Sequence, residues 1–262
     1  MRMHGSAPGD RSSQWVRRFR PAPEAPSQLV CLPYAGGSAG YFLPVARAMP
    51  ESVDVLAVQY PGRQDRSAER CVEDLHELAD QVVAALHPWA DRPFTLFGHS
   101  LGASLAFEVA VRLEAEGVAV DGVVASGRRA PSRPRDEFVH LLDERALVRD
   151  LERLSGTDPR MLRDPEILRM ILPSVRSDYK AAETYRSRPG ADSVRSPILV
   201  LTGDTDPQVT ADEAEAWAGH TTGGFSRRTF TGGHFFLNDH APAVIPVIAE
   251  FISGNRAKVD AG

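Results

Sequence analysis

The chain has 262 residues, of which 42% are hydrophobic and 25% charged. A chain of that length fits one large domain that buries roughly 70–75% of its unfolded surface. The net charge of −5 argues against a nucleic-acid-binding surface, and no apolar run approaches the length of a transmembrane helix. Cys31 and Cys71 are the two cysteines and have neither metal spacing nor a disulfide framework; Cys31, in an apolar run, reads as a buried free thiol. Met1 to Gln28 is polar and arginine-bearing without an apolar core, so it is not a secretory signal, and the protein is expected to be soluble and cytoplasmic.

Residues 1–14 read as a disordered tail, and 15–262 as a single domain. Trp15 to Phe19 is expected to be a short edge strand. Gln28 to Leu32 reads as a buried strand ending in the glycine-rich loop Pro33-Tyr-Ala-Gly-Gly-Ser-Ala39. A helix from Tyr41 to Met49 follows, with Phe42, Val45, Ala46 and Met49 on one face, and then a strand from Val53 to Gln59. Val72, Leu75, Leu78, Ala79, Val82, Val83 and Leu86 recur at helical spacing. Phe94 to Phe97 is a short apolar strand leading into Gly98-His99-Ser100-Leu101-Gly102 and a helix from Ala103 to Leu113. Strands are further predicted at Gly122–Ser126, Pro197–Thr202 and Phe225–Phe230, with a closing helix from His240 to Ile252.

Strand and helix alternate except between about residues 133 and 190, where the pattern is helical only. Phe138, Leu141, Leu142, Leu147, Leu151 and Leu154 form one amphipathic stretch. Leu168, Ile171, Leu172, Val175, Tyr179 and Tyr185 form a second, behind Asp164-Pro165, a good helix start. The fold class is therefore α/β: an α/β-hydrolase, with a mainly parallel central sheet flanked by helices and a helical insertion. Open sheets bind ligands at the carboxyl ends of their strands, so the insertion is expected to be a mobile lid over Ser100.

The pentapeptide around Ser100 is a G-x-S-x-G pattern in strand–turn–helix context, which a nucleophile elbow requires. The glycines let strand and helix backbones pass close together, and the helix N-terminus favours negative charge at the seryl oxygen. A serine needs a base to take its proton and an acid to orient that base, here in the chain order Ser, Asp, His. Gly203-Asp-Thr-Asp-Pro-Gln-Val209 offers two acids after a late strand. Asp206 is the choice for the triad, and Asp204 is expected to bond its own backbone in an Asx-turn. His234, in Thr231-Gly-Gly-His-Phe-Phe236, is the expected base, its phenylalanines excluding water. His220 and His240 read as surface or helix-cap residues, and His99 as a satisfied core histidine. Two oxyanion donors are expected: the N–H of Leu101 and that of Ala35, with Tyr34 or Gly36 as alternatives to the latter.

Taken together, these segments resemble the type II, or editing, thioesterases of modular polyketide synthases and nonribosomal peptide synthetases. The matching motifs are Trp15-Val-Arg-Arg-Phe, Leu-Pro-Tyr-Ala-Gly-Gly-Ser38, Gln59-Tyr-Pro-Gly-Arg63, Phe-Gly-His-Ser-Leu-Gly-Ala103, Ser126-Gly-Arg-Arg-Ala-Pro131, Asp164-Pro-Glu, Gly203-Asp-Thr-Asp-Pro207 and Gly-Gly-His-Phe-Phe-Leu237. They cover about residues 15 to 253, and where Tyr34 stands the family often has histidine. The resemblance implies hydrolysis of acyl groups from the phosphopantetheine arm of acyl or peptidyl carrier proteins. It implies an acyl-enzyme at Ser100, no metal, and no cofactor besides the phosphopantetheine that the substrate carries. A monomer is expected. Arg128, Arg129, Arg133 and Arg135, just before the insertion, are a candidate contact for an acidic carrier protein, the alternative being a solvated arginine-rich loop. Carboxylesterases or lipases of oxygen esters, and acyltransferases, share the same triad and fold and are the alternative readings; a non-catalytic binder would not need all three triad residues.

Overall fold

The computed structural model describes residues 14–260 apart from 155, 157, 158, 189 and 191. The expected tail therefore lies outside the described residues except for Gln14. Seven strands are present among the described residues: β1 (Val16–Arg17), β2 (Ser27–Leu32), β3 (Val53–Val58), β4 (Phe94–His99), β5 (Val120–Ser126), β6 (Ile198–Gly203) and β7 (Phe225–Phe230). They form one sheet in the order β1-β3-β2-β4-β5-β6-β7. Every pairing is parallel except that of β1, which runs antiparallel along β3 and is shorter than the five-residue strand expected there. Strands β2 to β6 are buried over almost their whole length, as a parallel sheet covered on both faces requires.

Seven α-helices accompany the sheet among the described residues: α1 (Leu43–Ala48), α2 (Leu75–Leu86), α3 (Leu101–Ala115), α4 (Glu144–Leu154), α5 (Pro165–Thr184), α6 (Ala211–Glu215) and α7 (Phe236–Asp260). Because strand side chains alternate in direction, neighbours in sequence enter different cores. Val30, Leu32, Leu96 and Val123 pack with α2 and α3 on one face. Leu29, Cys31, Phe97 and Val124 pack with α1 and α7 on the other. Cys31 is a fully buried free thiol, and burial raises its pKa. The closing helix begins earlier than expected, at Phe236, and breaks at His240 (φ −117°, ψ 20°), two residues before Pro242 withholds a helical N–H.

The insertion contributes α4 and α5, which share a small core of Leu147, Leu151, Leu162, Leu172 and Val175. Asp164 caps α5 by accepting from the N–H groups of Glu166 and Ile167, which is why the helix starts at Pro165. The first amphipathic stretch is shorter than its apolar spacing suggested. Phe138, Leu141 and Leu142 lie before α4, around a 3₁₀ turn, and are 62%, 70% and 40% exposed.

Strand order reverses between β2 and β4, so the loops leaving their carboxyl ends diverge and open a crevice there. Leu32 pairs with Gly98 across that junction. The glycine-rich loop after β2 and the turn after β4 are therefore neighbours by topology, and the site forms between them.

Candidate active site

Ser100 sits on the turn between β4 and α3 with φ 55° and ψ −117°, a conformation costing about 1–3 kcal/mol for a residue with a side chain. Its N–H is held by the carbonyl of Ser126 on β5 at 2.8 Å. The flanking glycines answer to contact. A Cβ on Gly98 would lie 1.8 Å from the Gly102 carbonyl oxygen, and one on Gly102 would lie 2.0 Å from that of Leu32. Strand β4, helix α3 and strand β2 thus close on one another with no room for a methyl group.

His234, on the loop between β7 and α7, is 3% exposed. Its Nδ1 lies 2.9 Å from Asp206 Oδ2 and 3.1 Å from Oδ1. Asp206 Oδ1 also accepts the N–H of Gln208 at 2.8 Å, so the carboxylate is oriented before it meets the imidazole. The Asx-turn expected at Asp204 is therefore found at Asp206. Asp204 reaches instead across to the histidine loop, accepting the Gly232 N–H at 2.8 Å. The acid loop and the base loop approach so closely that a Cβ on Gly203 would lie 2.3 Å from the Gly232 carbonyl oxygen.

Ser100, His234, Leu101 and Ala35 all line one cavity of about 370 Å³, within the size range of small-ligand sites. The insertion lines it as well, through Val139, Leu151, Leu154, Ile171, Val175 and Tyr179. Phe235 stands edge-on to His234, with ring centroids 5.1 Å apart, and against Tyr34 at 4.8 Å, walling the imidazole from solvent. Phe236 does not share that duty; it is buried in the α7 core and stacked on Phe230. Tyr34 fills the loop's end of the cavity, and its hydroxyl donates to the Gly156 carbonyl at 3.4 Å.

Leu101 opens α3, so its N–H has no partner within the helix. The Ala35 N–H also meets no protein acceptor among the described residues, whereas the Gly36 N–H is taken by Asp178 Oδ2 at 2.7 Å. Of the alternatives named for the second donor, Gly36 is thereby committed elsewhere.

Two histidine assignments change. His220 is not a surface residue: it is 4% exposed, its Nδ1 meets the Asp192 carbonyl, and its Nε2 meets Ser132 Oγ at 2.8 Å. His99 is buried but only half satisfied. Nδ1 lies 3.0 Å from Ser126 Oγ, and Nε2 has no hydrogen-bond partner. Its ring lies 5.0 Å from that of His234, and burial, with His234 beside it, holds its pKa well below 6.5. Gly127 makes room for both rings: at φ 59°, its Cβ would lie 2.6 Å from His99 Cε1 and 3.4 Å from His234 Cε1.

The arginine cluster is largely occupied within the fold. Arg128 lines the cavity, its Nε donating to Ser104 Oγ at 3.0 Å and its Nη2 to the Ala182 carbonyl at 2.8 Å; burial pushes its pKa down to about 10. Arg129 is buried against Glu137, and Arg135 pairs with Glu213. Arg133 alone of the four is exposed and makes no side-chain bond among the described residues. Three of the four candidate carrier contacts are thus engaged by partners that sequence adjacency did not show.

What Gln59-Tyr-Pro-Gly-Arg63 does is not legible in the sequence. Gln59 Oε1 accepts the Ala39 N–H at 2.9 Å, Tyr60 Oη donates to the Pro33 carbonyl at 3.0 Å, and Arg63 Nη1 donates to the Gly37 carbonyl at 3.2 Å. The motif is a cradle for the glycine-rich loop. Its unusual composition was the available signal, but nothing local says which loop it grips. No group of three or more His, Cys, Asp or Glu is arranged to hold a metal ion among the described residues, and no helix there is long and apolar enough to cross a membrane.

The thioesterase domain family matches residues 27–252. The chain is 50% identical over 252 residues to the thioesterase PikA5 of Streptomyces venezuelae, covering 95% of this chain and 89% of that protein. The structure of the type II thioesterase BorB from the borrelidin biosynthetic cluster superposes with a TM-score of 0.86 at 49% identity, over 96% of this chain and 100% of that one. The thioesterase RedJ from the prodiginine pathway of Streptomyces coelicolor superposes with a TM-score of 0.83 at 34% identity, over 88% and 93% of the two chains. With an α/β-hydrolase sheet, a serine on a strained elbow and a family match across most of its length, the chain belongs to the thioesterase family, among the type II thioesterases.

Proposed function

We propose that this thioesterase clears acyl groups from the phosphopantetheine thiol of acyl or peptidyl carrier proteins in a polyketide or nonribosomal peptide synthase, with Ser100, His234 and Asp206 as its catalytic residues. The observation carrying the triad is the cavity itself. An imidazole held through Nδ1 by both oxygens of a buried carboxylate shares it with a serine on a strained turn. The pathways named for BorB and RedJ support the substrate class.

In this reading Ser100 Oγ bonds to the thioester carbonyl carbon while His234 Nε2 takes the hydroxyl proton. Negative charge gathers on the carbonyl oxygen, facing the N–H groups of Leu101 and Ala35. The C–S bond breaks, and His234 returns the proton to the departing thiol. Water then adds to the seryl ester with His234 again as base, and the carboxylic acid leaves as Ser100 regains its proton. Asp206 keeps Nδ1 protonated throughout, so that Nε2 is the nitrogen that takes each proton and returns it. The chemistry calls for no metal or cofactor beyond the substrate's own phosphopantetheine. We take the enzyme to act as a cytoplasmic monomer, which gel filtration with and without carrier protein tests.

The test presents one acyl group in three forms: propionyl-carrier protein, the propionyl thioester of a short pantetheine mimic, and p-nitrophenyl propionate. Fastest turnover of the carrier-bound thioester, abolished by Ser100→Ala, is the expected result. Preference for the oxygen ester with carrier protein ignored would transfer the function to a carboxylesterase. Propionyl transfer to an added alcohol in place of hydrolysis would make it an acyltransferase.

A further inference from the structure

Asp178 is a fully buried carboxylate on α5, 115 residues from its main partner and outside the triad. Arg63 meets it with a two-pronged grip, Nη1 to Oδ2 at 2.6 Å and Nη2 to Oδ1 at 2.9 Å. Burial works against the guanidinium's charge, but Asp178 outweighs it and holds the Arg63 pKa above its ordinary value. Asp178 Oδ2 also accepts the Gly36 N–H at 2.7 Å. One turn back on the same helix, Val175 closes over Gly36, where a Cβ would lie 2.6 Å from Val175 Cγ2.

These contacts converge on one β-turn. Gly37 N–H donates to the Tyr34 carbonyl at 2.8 Å, closing Tyr34-Ala35-Gly36-Gly37, and Gly36 at its third position has φ +78°. That is the mark of a type II turn, in which the central peptide is flipped relative to type I. Tyr34 C=O and Ala35 N–H belong to one trans peptide and point in opposite directions. A carbonyl held inside the turn therefore sends the Ala35 N–H outward. Asp178 pins the neighbouring peptide by holding the Gly36 N–H, which keeps the turn closed with the Gly37 N–H on the Tyr34 carbonyl and so keeps the peptide that carries the Ala35 N–H in place.

We infer that Asp178, clamped by Arg63, is a positioning residue for catalysis: it locks the turn in the form that presents the Ala35 N–H to the developing oxyanion. The inference rests on the serine-thioesterase reading above. It makes the insertion helix part of the catalytic machinery, because the carboxylate that sets the donor arrives on α5. Asp178 touches no reacting atom in this account and acts only through the turn.

Three variants test it, with turnover expressed per active site after covalent labelling of Ser100 by a fluorophosphonate and mass-spectrometric counting. Asp178→Leu removes both carboxylate acceptors, so the Gly36 N–H loses its hold and the turn is freed. Its kcat for the propionyl thioester of the pantetheine mimic should fall toward the ~10²–10³-fold typical of a lost oxyanion donor, with KM changed less than about threefold. Arg63→Met should do likewise by releasing the carboxylate. The deciding variant is Arg63→Met/Asp178→Leu, because buried ion pairs can often be replaced by apolar residues without loss of stability. Its melting temperature should recover relative to the single variants while its kcat stays low, since Gly36 still lacks its acceptor. Recovery of kcat along with stability, a loss confined to KM, or an Asp178→Leu kcat within threefold of wild type would each overturn the inference. Failure of the wild type itself to hydrolyse the thioester would instead refute the underlying reading.

Discussion

Asp206→Asn is the sharpest probe of how the imidazole is held. The change is isosteric and leaves the buried volume intact, but the two carboxylate oxygens have different duties. Oδ1 accepts the Gln208 N–H at 2.8 Å, and Oδ2 lies nearest His234 Nδ1 at 2.9 Å. An amide keeps only one acceptor, and the backbone N–H of Gln208 claims it. The amide N–H₂ then faces Nδ1 and donates to it, which moves the ring proton to Nε2 and leaves the serine without a base. The comparable substitution in a serine protease costs about 10⁴-fold in kcat, or about 5.5 kcal/mol of transition-state stabilisation. The same order is expected here, with KM nearly unchanged and the fold intact. Thiol release from the propionyl pantetheine mimic measures kcat, and thermal melting checks the fold. Asp204→Asn is the internal comparison. Asp204 only accepts the Gly232 N–H at 2.8 Å, which an amide oxygen does equally well, so kcat should drop less than about tenfold. An Asp206→Asn enzyme retaining more than a tenth of wild-type kcat, or an Asp204→Asn enzyme as slow as it, would refute the assignment.

Gly127→Ala should displace the paired imidazoles, because the new methyl meets His99 Cε1 at 2.6 Å and the backbone is left-handed there; a loss of about 1–3 kcal/mol in denaturant melts should accompany a drop in kcat. Arg133→Ser should raise KM for acyl-carrier protein while leaving the small thioester unaffected, and an unchanged KM would remove Arg133 as a docking contact. Arg129→Ser should instead lower stability, by about 1–3 kcal/mol in urea unfolding, because it leaves the part-exposed Glu137 with only the looser Arg135 contact at 3.9 Å. His99 has a depressed pKa in the folded state, so the unfolded chain binds its proton first as pH falls. Its contribution to stability is full above the unfolded value of 6.5 and is lost below it as pH falls toward the folded pKa. His99→Phe should flatten that acid limb of unfolding free energy against pH, and an unaltered limb would contradict it.

The elbow, the acid loop and the histidine loop are legible in the sequence because each is marked by local signals. Glycines at 98 and 102 report steric contact within one turn, and five- or six-residue apolar runs report strands buried on both faces. The differences between expectation and fold share a cause. Asp204 and Asp206 sit in one turn, so either can form its Asx-turn, and only the packing of the histidine loop tells which carboxylate faces across. The spacing of Phe138, Leu141 and Leu142 is helical, but the chain there forms a 3₁₀ turn and leaves them exposed. Four neighbouring arginines resemble a charged patch, because an arginine reads the same in sequence whether solvated or paired.

By itself the sequence determined the sheet, the insertion, the elbow and the order of Ser100, Asp206 and His234, since these depend on short-range sterics, apolar periodicity and turn chemistry. Only the tertiary structure decided the rest: that Gln59, Tyr60 and Arg63 cradle the loop after β2, that Asp178 crosses from α5 to hold it, and that His99 lies against His234 over Gly127. These are polar and steric pairings between segments distant in the chain. Burial makes them specific, because an unmatched charge or N–H is costly only where water is excluded, and which groups lose their water is settled only once the sheet, its helices and the insertion have packed.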